Sequence, residues 1–305
     1  MATNFTFEVL ISTYKRENLL ERTLTSLMLE KIPDSLLGVL VIENGPKKSA
    51  EDVCRKFLTR KIKINYIHQP TLGLSAARNA GSKAAQADML LFFDNDLRFS
   101  GITLQSYADA FNKFGLDFYY GGPLYPDYEA PPPEWIKPFL PPSAKGWELD
   151  LSTEICDCTG FLGGNHAVPR NHLLDIAGYD NICAEGEAGG VGEESRLQRK
   201  LLTKGLRAVY VPKAKVWHYV PKDRCTPEWI LFRRYRHGLT EGKYMFHEAG
   251  NVRNIRNVPL WIWHEYLLLK KSRLLNILIG RRQSQYFETL CRLAEFRGII
   301  DALKK

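Results

Sequence analysis

The sequence predicts an α/β protein, a mixed and mostly parallel sheet flanked by helices and followed by a C-terminal helical extension. Three observations carry that expectation. Through roughly the first 120 residues, short apolar runs alternate with longer amphipathic ones, the pattern of βαβ units around a parallel sheet. Within that region Met89-Leu90-Leu91-Phe92-Phe93 is apolar at every position, as a strand covered on both faces requires. Beyond Thr226 the strand-like runs end, and the chain to Lys305 has a helical pattern without an internal repeat.

Taken in order, Val9-Leu10-Ile11 reads as the first buried strand, and Leu20, Leu24, Leu27 and Met28 give the next segment one apolar helical face. Val39 to Ile42 is a second strand, Ala50 to Leu58 a helix, and Ile62 to Ile67 a third strand. A helix from about Ser75 to Ala87 leads into Met89 to Phe93. Eight prolines between Pro123 and Pro142 remove too many backbone donors for a regular element, so an ordered but irregular loop is expected there. Tyr179 to Gly192 carries four glycines ahead of a helix starting near Glu193, and both a lid and a plain connection are open readings. Val209-Tyr210-Val211 and Val216 to Val220 read as strands. Thr226-Pro227-Glu228 is a helix start, with a hydroxyl cap and proline in the first turn.

At 305 residues, 45% hydrophobic and 25% charged, the chain has the composition of an ordinary folded protein and the length for one large domain with an appendage. The boundary is expected at 224/225. Charge supports it, because residues 1–224 hold 27 Lys+Arg against 27 Asp+Glu, whereas residues 225–305 hold 15 against 7. The whole formal +8 belongs to the extension. Met1 to Thr6 contain no basic stretch leading into an apolar one, so a cleaved export signal is not expected and the six cysteines should be reduced thiols. Cys156 and Cys158 fit neither a redox pair nor a zinc knuckle and read as alternate faces of one strand.

In open α/β sheets ligands bind outside the carboxyl ends of the strands. Thr13-Tyr14 follow the first strand, Glu43-Asn44 the second, and Asp94-Asn95-Asp96 the buried fourth. Two carboxylates one residue apart on a rigid strand end offer the oxygen ligands that a hard divalent cation bridging to a diphosphate needs. Alone, that pair also fits a solvated turn. No nucleophile triad and no GxxxxGK[ST] phosphate loop is present, which argues against hydrolase and P-loop chemistry.

The runs Val9-Leu10-Ile11-Ser12-Thr13-Tyr14-Lys15-Arg16, Val41-Ile42-Glu43-Asn44-Gly45, Gly73-Leu74-Ser75-Ala76-Ala77-Arg78-Asn79-Ala80-Gly81 and Phe92-Phe93-Asp94-Asn95-Asp96 resemble, in order and spacing, family 2 glycosyltransferases of the GT-A fold. Gly163-Gly164-Asn165-His166-Ala167-Val168, Ala177-Gly178-Tyr179-Asp180, Gly192-Glu193-Glu194 with Leu197 and Arg199, and Val216-Trp217-His218 continue the match more loosely. The resemblance spans about residues 7 to 220 and implies that residues 1–224 bind a nucleotide sugar and carry catalysis.

By position, the resemblance implies that Thr13, Tyr14, Arg16 and Glu43 hold the base and ribose side of the donor, with Asn95 beside them. Family members usually carry Asp where Glu43 stands. Arg78 is expected to meet phosphate or base, and Asp94 the ribose or a metal-bound water. Asp96 and His218 are the expected metal ligands, although a lone histidine in an apolar strand also fits a hydrogen-bonded core position. Mn2+ or Mg2+ is the implied cofactor, the imidazole favouring Mn2+. Gly164 and Asn165 fall on the acceptor side. Glu193 and Glu194 open a helix, where acids also serve as caps. The resemblance makes Glu194 the base that takes the acceptor hydroxyl's proton, where relatives usually have Asp, with Glu193 beside it.

The implied activity is inverting transfer of one sugar from a nucleotide-diphosphate donor, UDP by expectation, to a saccharide or lipid-linked acceptor in polysaccharide or glycolipid biosynthesis. A sugar-phosphate nucleotidyltransferase would want a glycine-rich phosphate loop where Ser12-Thr13-Tyr14 stands, and a non-catalytic nucleotide-sugar binder is the other alternative. In the extension, Trp261, Trp263 and Tyr266 mix with leucines, Lys270, Lys271 and Arg273, and charges interrupt each apolar run well short of the ~20 residues of a membrane span. This argues against a polymer-extruding synthase. The extension is read either as an interfacial helix on an anionic membrane or as a subdomain packed on the body or on a dimer partner. No nucleic-acid motif accompanies it, and nucleic acid is not an expected partner. A cytoplasmic protein, peripheral on the inner face of the membrane, is the location these features imply.

Overall fold

A computed structural model describes residues 4–46, 48–57, 61–150, 154–157, 160–180, 192–248, 253–278 and 283–304. The glycine-rich segment expected to act as a lid or connection lies mostly outside these residues, as do Leu58, Cys158 and Cys183. The chain divides into two compact units, Met1–Asp127 with Pro142–Tyr219, and Tyr128–Pro141 with Val220–Lys305.

The first unit alternates as the apolar pattern requires: β1 (Phe7–Thr13), α1 (Glu17–Leu27), β2 (Leu36–Asn44), α2 (Ala50–Arg55), β3 (Ile64–Gln69), α3 (Leu74–Ala84) and β4 (Met89–Asp94). Three elements that the apolar pattern alone does not announce follow, β5 (Leu97–Phe99), α4 (Thr103–Phe114) and β6 (Phe118–Gly121). Next come β7 (Leu124–Tyr128), α5 (Pro142–Lys145), β8 (Ile155–Cys156), β9 (Asn165–Pro169), α6 (Arg170–Asp175), α7 (Glu193–Thr203), β10 (Arg207–Tyr210) and β11 (Val216–Val220). The main sheet has eight strands in the order β3-β2-β1-β4-β9-β6-β10-β8. Strands β1, β2, β3 and β4 run parallel, and β9 is antiparallel to both β4 and β6.

The proline-rich segment is a correction to the expected irregular loop. Leu124–Tyr128 is a strand, lying at the edge of a second sheet ordered β5-β11-β7. An edge strand has one unpaired side, so the donor that Pro126 lacks need not interrupt a ladder. Farther along, Lys137–Phe139 forms a 3₁₀ turn.

Helix α1 buries Leu20, Leu24 and Leu27 completely under the sheet, each such leucine contributing about 1.5–3 kcal/mol as an upper estimate. Its polar side chains hold the chain after β4 in place. Thr23 Oγ1 accepts the Leu97 amide at 2.9 Å and Ser26 Oγ the Phe99 amide at 3.0 Å. Glu30 accepts the amides of Leu104, at 3.0 Å, and Gly101, satisfying donors at the start of α4. Burial pushes the Glu30 carboxyl up, and these backbone donors pull it back. The turn Asp94-Asn95-Asp96 is therefore fixed on both sides, by β4 before it and by the anchored β5 after it.

The second unit is built on α8 (Pro227–Glu248), a short hairpin of β12 (Asn254–Ile255) and β13 (Val258–Pro259), α9 (Leu260–Leu278) and α10 (Gln283–Leu303). Thr226 caps α8, its Oγ1 accepting the Trp229 amide at 3.2 Å. Helices α8 and α10 cross closely because Gly238 and Gly298 have no side chain, and a Cβ on either would meet backbone of the other helix. The unit's own apolar core joins Val258 and Ile262 to Ile299, Ile300 and Leu303. No helix among the described residues is long and apolar enough to cross a membrane.

Candidate active site

Strand register sets which side chains meet. Parallel pairing puts Thr13 opposite Glu43 and Ser12 opposite Asp94, while antiparallel pairing of β4 with β9 puts Phe93 opposite Asn165 and hence Gly164 beside Asp94. With β2 on one side of β1 and β4 on the other, the strand order reverses at β1, and a ligand crevice opens at the carboxyl ends of such a pair.

There Asp94, Asp96 and His218 converge, each offering a ligand atom within 4.8 Å of the others. Among the described residues this is the one such cluster of acids, histidines or cysteines. His218 comes from β11, the central strand of the small sheet, which pairs with β5 directly after the acidic turn. Its Nε2 lies 3.4 Å from Asp96 Oδ1 without forming a hydrogen bond, and Asp96 Oδ1 and His218 Nδ1 are both buried with no hydrogen-bond partner. Buried polar atoms are rarely left so. Two carboxylates and an imidazole with unfilled valence fit a divalent cation, and oxygen with nitrogen donors suits Mn2+. Asp96 Oδ2 accepts a 2.8 Å ion pair from Arg16, at the start of α1.

A second cluster surrounds Arg78, which is fully enclosed on α3. Its guanidinium donates to the Gly163 carbonyl at 3.0 Å and faces Asp94 at 3.4 Å and Glu193 at 3.5 Å. It also lies 5.3 Å over the Tyr179 ring. Burial opposes its charge, but Tyr179, Asp94, Glu193 and Glu194 outweigh that and hold Arg78 more firmly protonated than usual. Glu193 and Glu194 open α7 after a left-handed Gly192. Glu193 is buried against Arg78, whereas Glu194 is half-buried and accepts the Gly163 amide at 3.4 Å. Gln198, farther along α7, exchanges two hydrogen bonds with the Phe161 backbone at 3.0 and 2.8 Å, tying that helix to the segment that leads into β9.

Backbone at Gly163 and Gly164 passes close beneath these groups. A Cβ on Gly163 would lie 2.6 Å from Arg78 Nη2, and one on Gly164 would lie 2.7 Å from Asp94 Oδ2.

The other residues expected here are placed as follows. Asn95 is buried and donates to Thr13 Oγ1 at 2.7 Å, joining the ends of β1 and the acidic turn. Tyr14 is half-buried, with Lys15 Nζ 4.8 Å over its ring. Glu43 is 2% exposed, and its carboxylate accepts the Ser49 amide and hydroxyl, the Ala50 amide and the Tyr66 hydroxyl. A donor contact from Glu43 requires one of these to be given up. Asn165 is fully buried, its amide donating to the carbonyls of Pro123 and Ala214 and accepting from Tyr107. Its amide is therefore committed to hydrogen bonds within the fold.

Tyr179 and His166, which carry no expected role in the quoted runs, also join this cluster. Tyr179 backs Arg78, and its hydroxyl lies 2.6 Å from His166 Nε2. Burial, helped by the Arg78 charge, pulls the His166 imidazole down to about 3, so it is neutral at ordinary pH, stacked on Phe92. Neither was recognisable as a partner of Arg78 from sequence, since some hundred residues separate Tyr179 from it.

Residues 8–176, more than half of the chain, match the sequence pattern of Glycosyl transferase family 2. The chain belongs to glycosyl transferase family 2. Among relatives in the family, the succinoglycan biosynthesis protein ExoM of Rhizobium meliloti (strain 1021) is 28% identical over 257 residues, covering 82% of this chain and 78% of that one. Validoxylamine A glucosyltransferase of Streptomyces hygroscopicus subsp. limoneus is 28% identical over 222 residues, 65% of this chain. This chain spans about half the length of that relative, 48%. In fold, the family 2 chain resembles a mannosyltransferase of Pyrobaculum calidifontis solved with GDP-Man and Mn2+, with a TM-score of 0.60 at 14% identity over 98% of this chain and 87% of that one. The expected α/β architecture of the GT-A fold, with its C-terminal helices, is the one observed.

Proposed function

We propose that this protein is an inverting glycosyltransferase that moves one sugar from a nucleotide-diphosphate sugar, UDP by preference, to a hydroxyl of a saccharide or lipid-linked acceptor in polysaccharide or glycolipid biosynthesis. The observation that carries the reading is the placement of two clusters side by side at the switch point of the sheet. Asp94, Asp96 and His218 form a cation-binding corner, and Glu193 and Glu194 open a helix across the Gly163 backbone. ExoM, by its name a biosynthesis protein for succinoglycan, and the Mn2+ in the mannosyltransferase support the pathway class and the metal.

A divalent cation, when bound by Asp96 and His218 with Asp94 beside it, supplies positive charge to the departing diphosphate. The chain's own groups do the rest. Thr13 and Tyr14 at the end of β1, with Glu43 shaping the floor through α2, form the side for base and ribose. Arg78 holds Asp94 and Glu193 in place through its ion pairs. Glu194 accepts the proton of the acceptor hydroxyl as that oxygen bonds to the anomeric carbon and the bond from that carbon to the diphosphate oxygen breaks. One displacement inverts the centre. Glu194 is assigned as base over Glu193 because it is more accessible and Glu193 is committed to Arg78.

The test is Glu194→Gln, which keeps size and hydrogen bonding but cannot take the proton. Transfer is expected to fall about 10²- to 10⁴-fold with nucleotide affinity kept. Glu193→Gln should lose less. If Glu194→Gln transfers sugar at nearly the parent rate, the assignment of the base fails. A thermal-shift screen of UDP, GDP, CDP and dTDP with Mn2+ reads the nucleotide directly, and a larger shift with another base would overturn the UDP preference.

A further inference from the structure

Helix α9 carries an apolar face that no described residue of its own unit covers. Its inner seam is Ile262, Leu269 and Asn276, seven residues apart and all buried. Ile262 joins the core with Ile299, Ile300 and Leu303, and the Asn276 amide donates to Thr289 Oγ1 at 3.0 Å. At 3.6 residues per turn, Leu260, Trp261, Leu267, Leu268, Leu274 and Leu275 fall on the opposite side, and each is 41% to 63% exposed. They form a stripe about 22 Å long. Lys271 lies within the stripe and Lys270 at its border, and both are exposed.

What covers this face is decided by charge. The one acid on α9, Glu265, lies 3.7 Å from Arg292 of α10. A second copy of the chain docked by a two-fold axis would set the same face against itself, bringing Lys271 and its neighbours against their own counterparts with no acid on the face to pair them. A lipid surface carries the opposite sign and accepts both components at once, leucine and tryptophan side chains among the acyl chains and headgroups, basic groups among the phosphates. The helix does not qualify as a span, so it lies in the surface.

We propose that this face of α9 docks the protein on an anionic bilayer surface, with Trp261 and the exposed leucines Leu260, Leu267, Leu268, Leu274 and Leu275 inserted to the depth of the headgroup boundary and Lys270 and Lys271 against lipid phosphate. This does not rest on the sugar-transfer reading, because it is read without any sugar nucleotide.

The experiment is sedimentation of the full chain with phosphatidylcholine vesicles, with and without about 30% phosphatidylglycerol. Binding is expected on the anionic vesicles and should be lost at about 0.5 M salt, where the screening length is only a few ångströms. The double variant Lys270→Gln/Lys271→Gln is expected to bind about 25-fold more weakly, at roughly fivefold per charge. Leu267→Gln/Leu268→Gln should weaken it more than about tenfold. All four positions are exposed, and unchanged far-ultraviolet circular dichroism melts would show that the variants fold. Failure of the parent protein to bind anionic vesicles at low salt overturns the proposal. So does equal binding to neutral vesicles, or a dimer in analytical ultracentrifugation that Leu267→Gln/Leu268→Gln converts to monomer.

Discussion

Gly164→Ala isolates the geometry of the cation corner with a single methyl group. Gly164 has ordinary backbone angles, so alanine introduces no backbone strain; the consequence is purely one of space. Its Cβ would sit 2.7 Å from Asp94 Oδ2 and 3.2 Å from Asp94 Cγ, and the carboxylate must retreat by about 0.7 Å to regain ordinary contact. That displacement exceeds the roughly 0.2 Å tolerance of metal–ligand distances, and misplacements near 1 Å cost about 10²-fold in catalysis. Because the obstructed group is the end of a side chain, the fold should survive. The expected result is at least about tenfold weaker Mn2+-dependent binding of the nucleotide diphosphate. In a thermal or urea unfolding assay with ligand at about 100-fold its parent dissociation constant, the parent gains about 2.7 kcal/mol and the variant should gain only about 1.4. A folded Gly164→Ala protein with parent-like Mn2+-dependent stabilisation would refute the placement of Asp94 at the cation.

Two further outcomes follow from the same geometry. Asp96→Ala should abolish the metal-dependent part of nucleotide stabilisation in titration calorimetry while leaving the protein folded, since the Arg16 partner it abandons is 38% exposed and can be solvated; unchanged metal dependence would remove Asp96 as a ligand. His166 gives a pH dependence: its folded imidazole stays neutral down to about 3, whereas in the unfolded chain it takes a proton below its usual value of about 6.5. Between those values the unfolded state binds one more proton, so stability is lost as pH falls, by up to about 1.4 kcal/mol per unit. His166→Phe, which keeps a ring stacked on Phe92, should show a shallower loss between about pH 6 and 4 in urea midpoints, and an identical slope would count against burial as the cause.

Much of this was readable in the chain because buried parallel strands announce themselves. Met89 to Phe93 has the pattern of a covered strand, and polar residues directly after such strands gather at one sheet edge, which marks Asp94, Asp96 and Thr13 in the sequence. Periodicity did not reveal Leu97–Phe99, because three residues are too few for a pattern, nor Leu124–Tyr128, where Pro126 mimics a loop. Residue type also hides allegiance. Glu43 and Asn165 have the chemistry of ligand-binding groups, yet their hydrogen bonds go to Ser49, Ala50 and Tyr66 in one case and to Tyr107, Pro123 and Ala214 in the other. Such commitments arise only when distant segments meet. The stacking of Tyr179 on Arg78 is of the same kind.

The enclosure of Arg78 among carboxylates has a consequence for what the crevice admits. Among the described residues, the carboxylates of Asp94, Asp96, Glu193 and Glu194 outnumber the two guanidinium groups paired with them, Arg16 and Arg78. The crevice alone is therefore an anionic surface, and in its low-dielectric walls that surplus repels a bare diphosphate. A diphosphate already carrying a divalent cation brings the missing charge with it. On the proposed reading, a nucleotide diphosphate would enter as its cation complex, and the free nucleotide would be turned away by net charge before shape is tested.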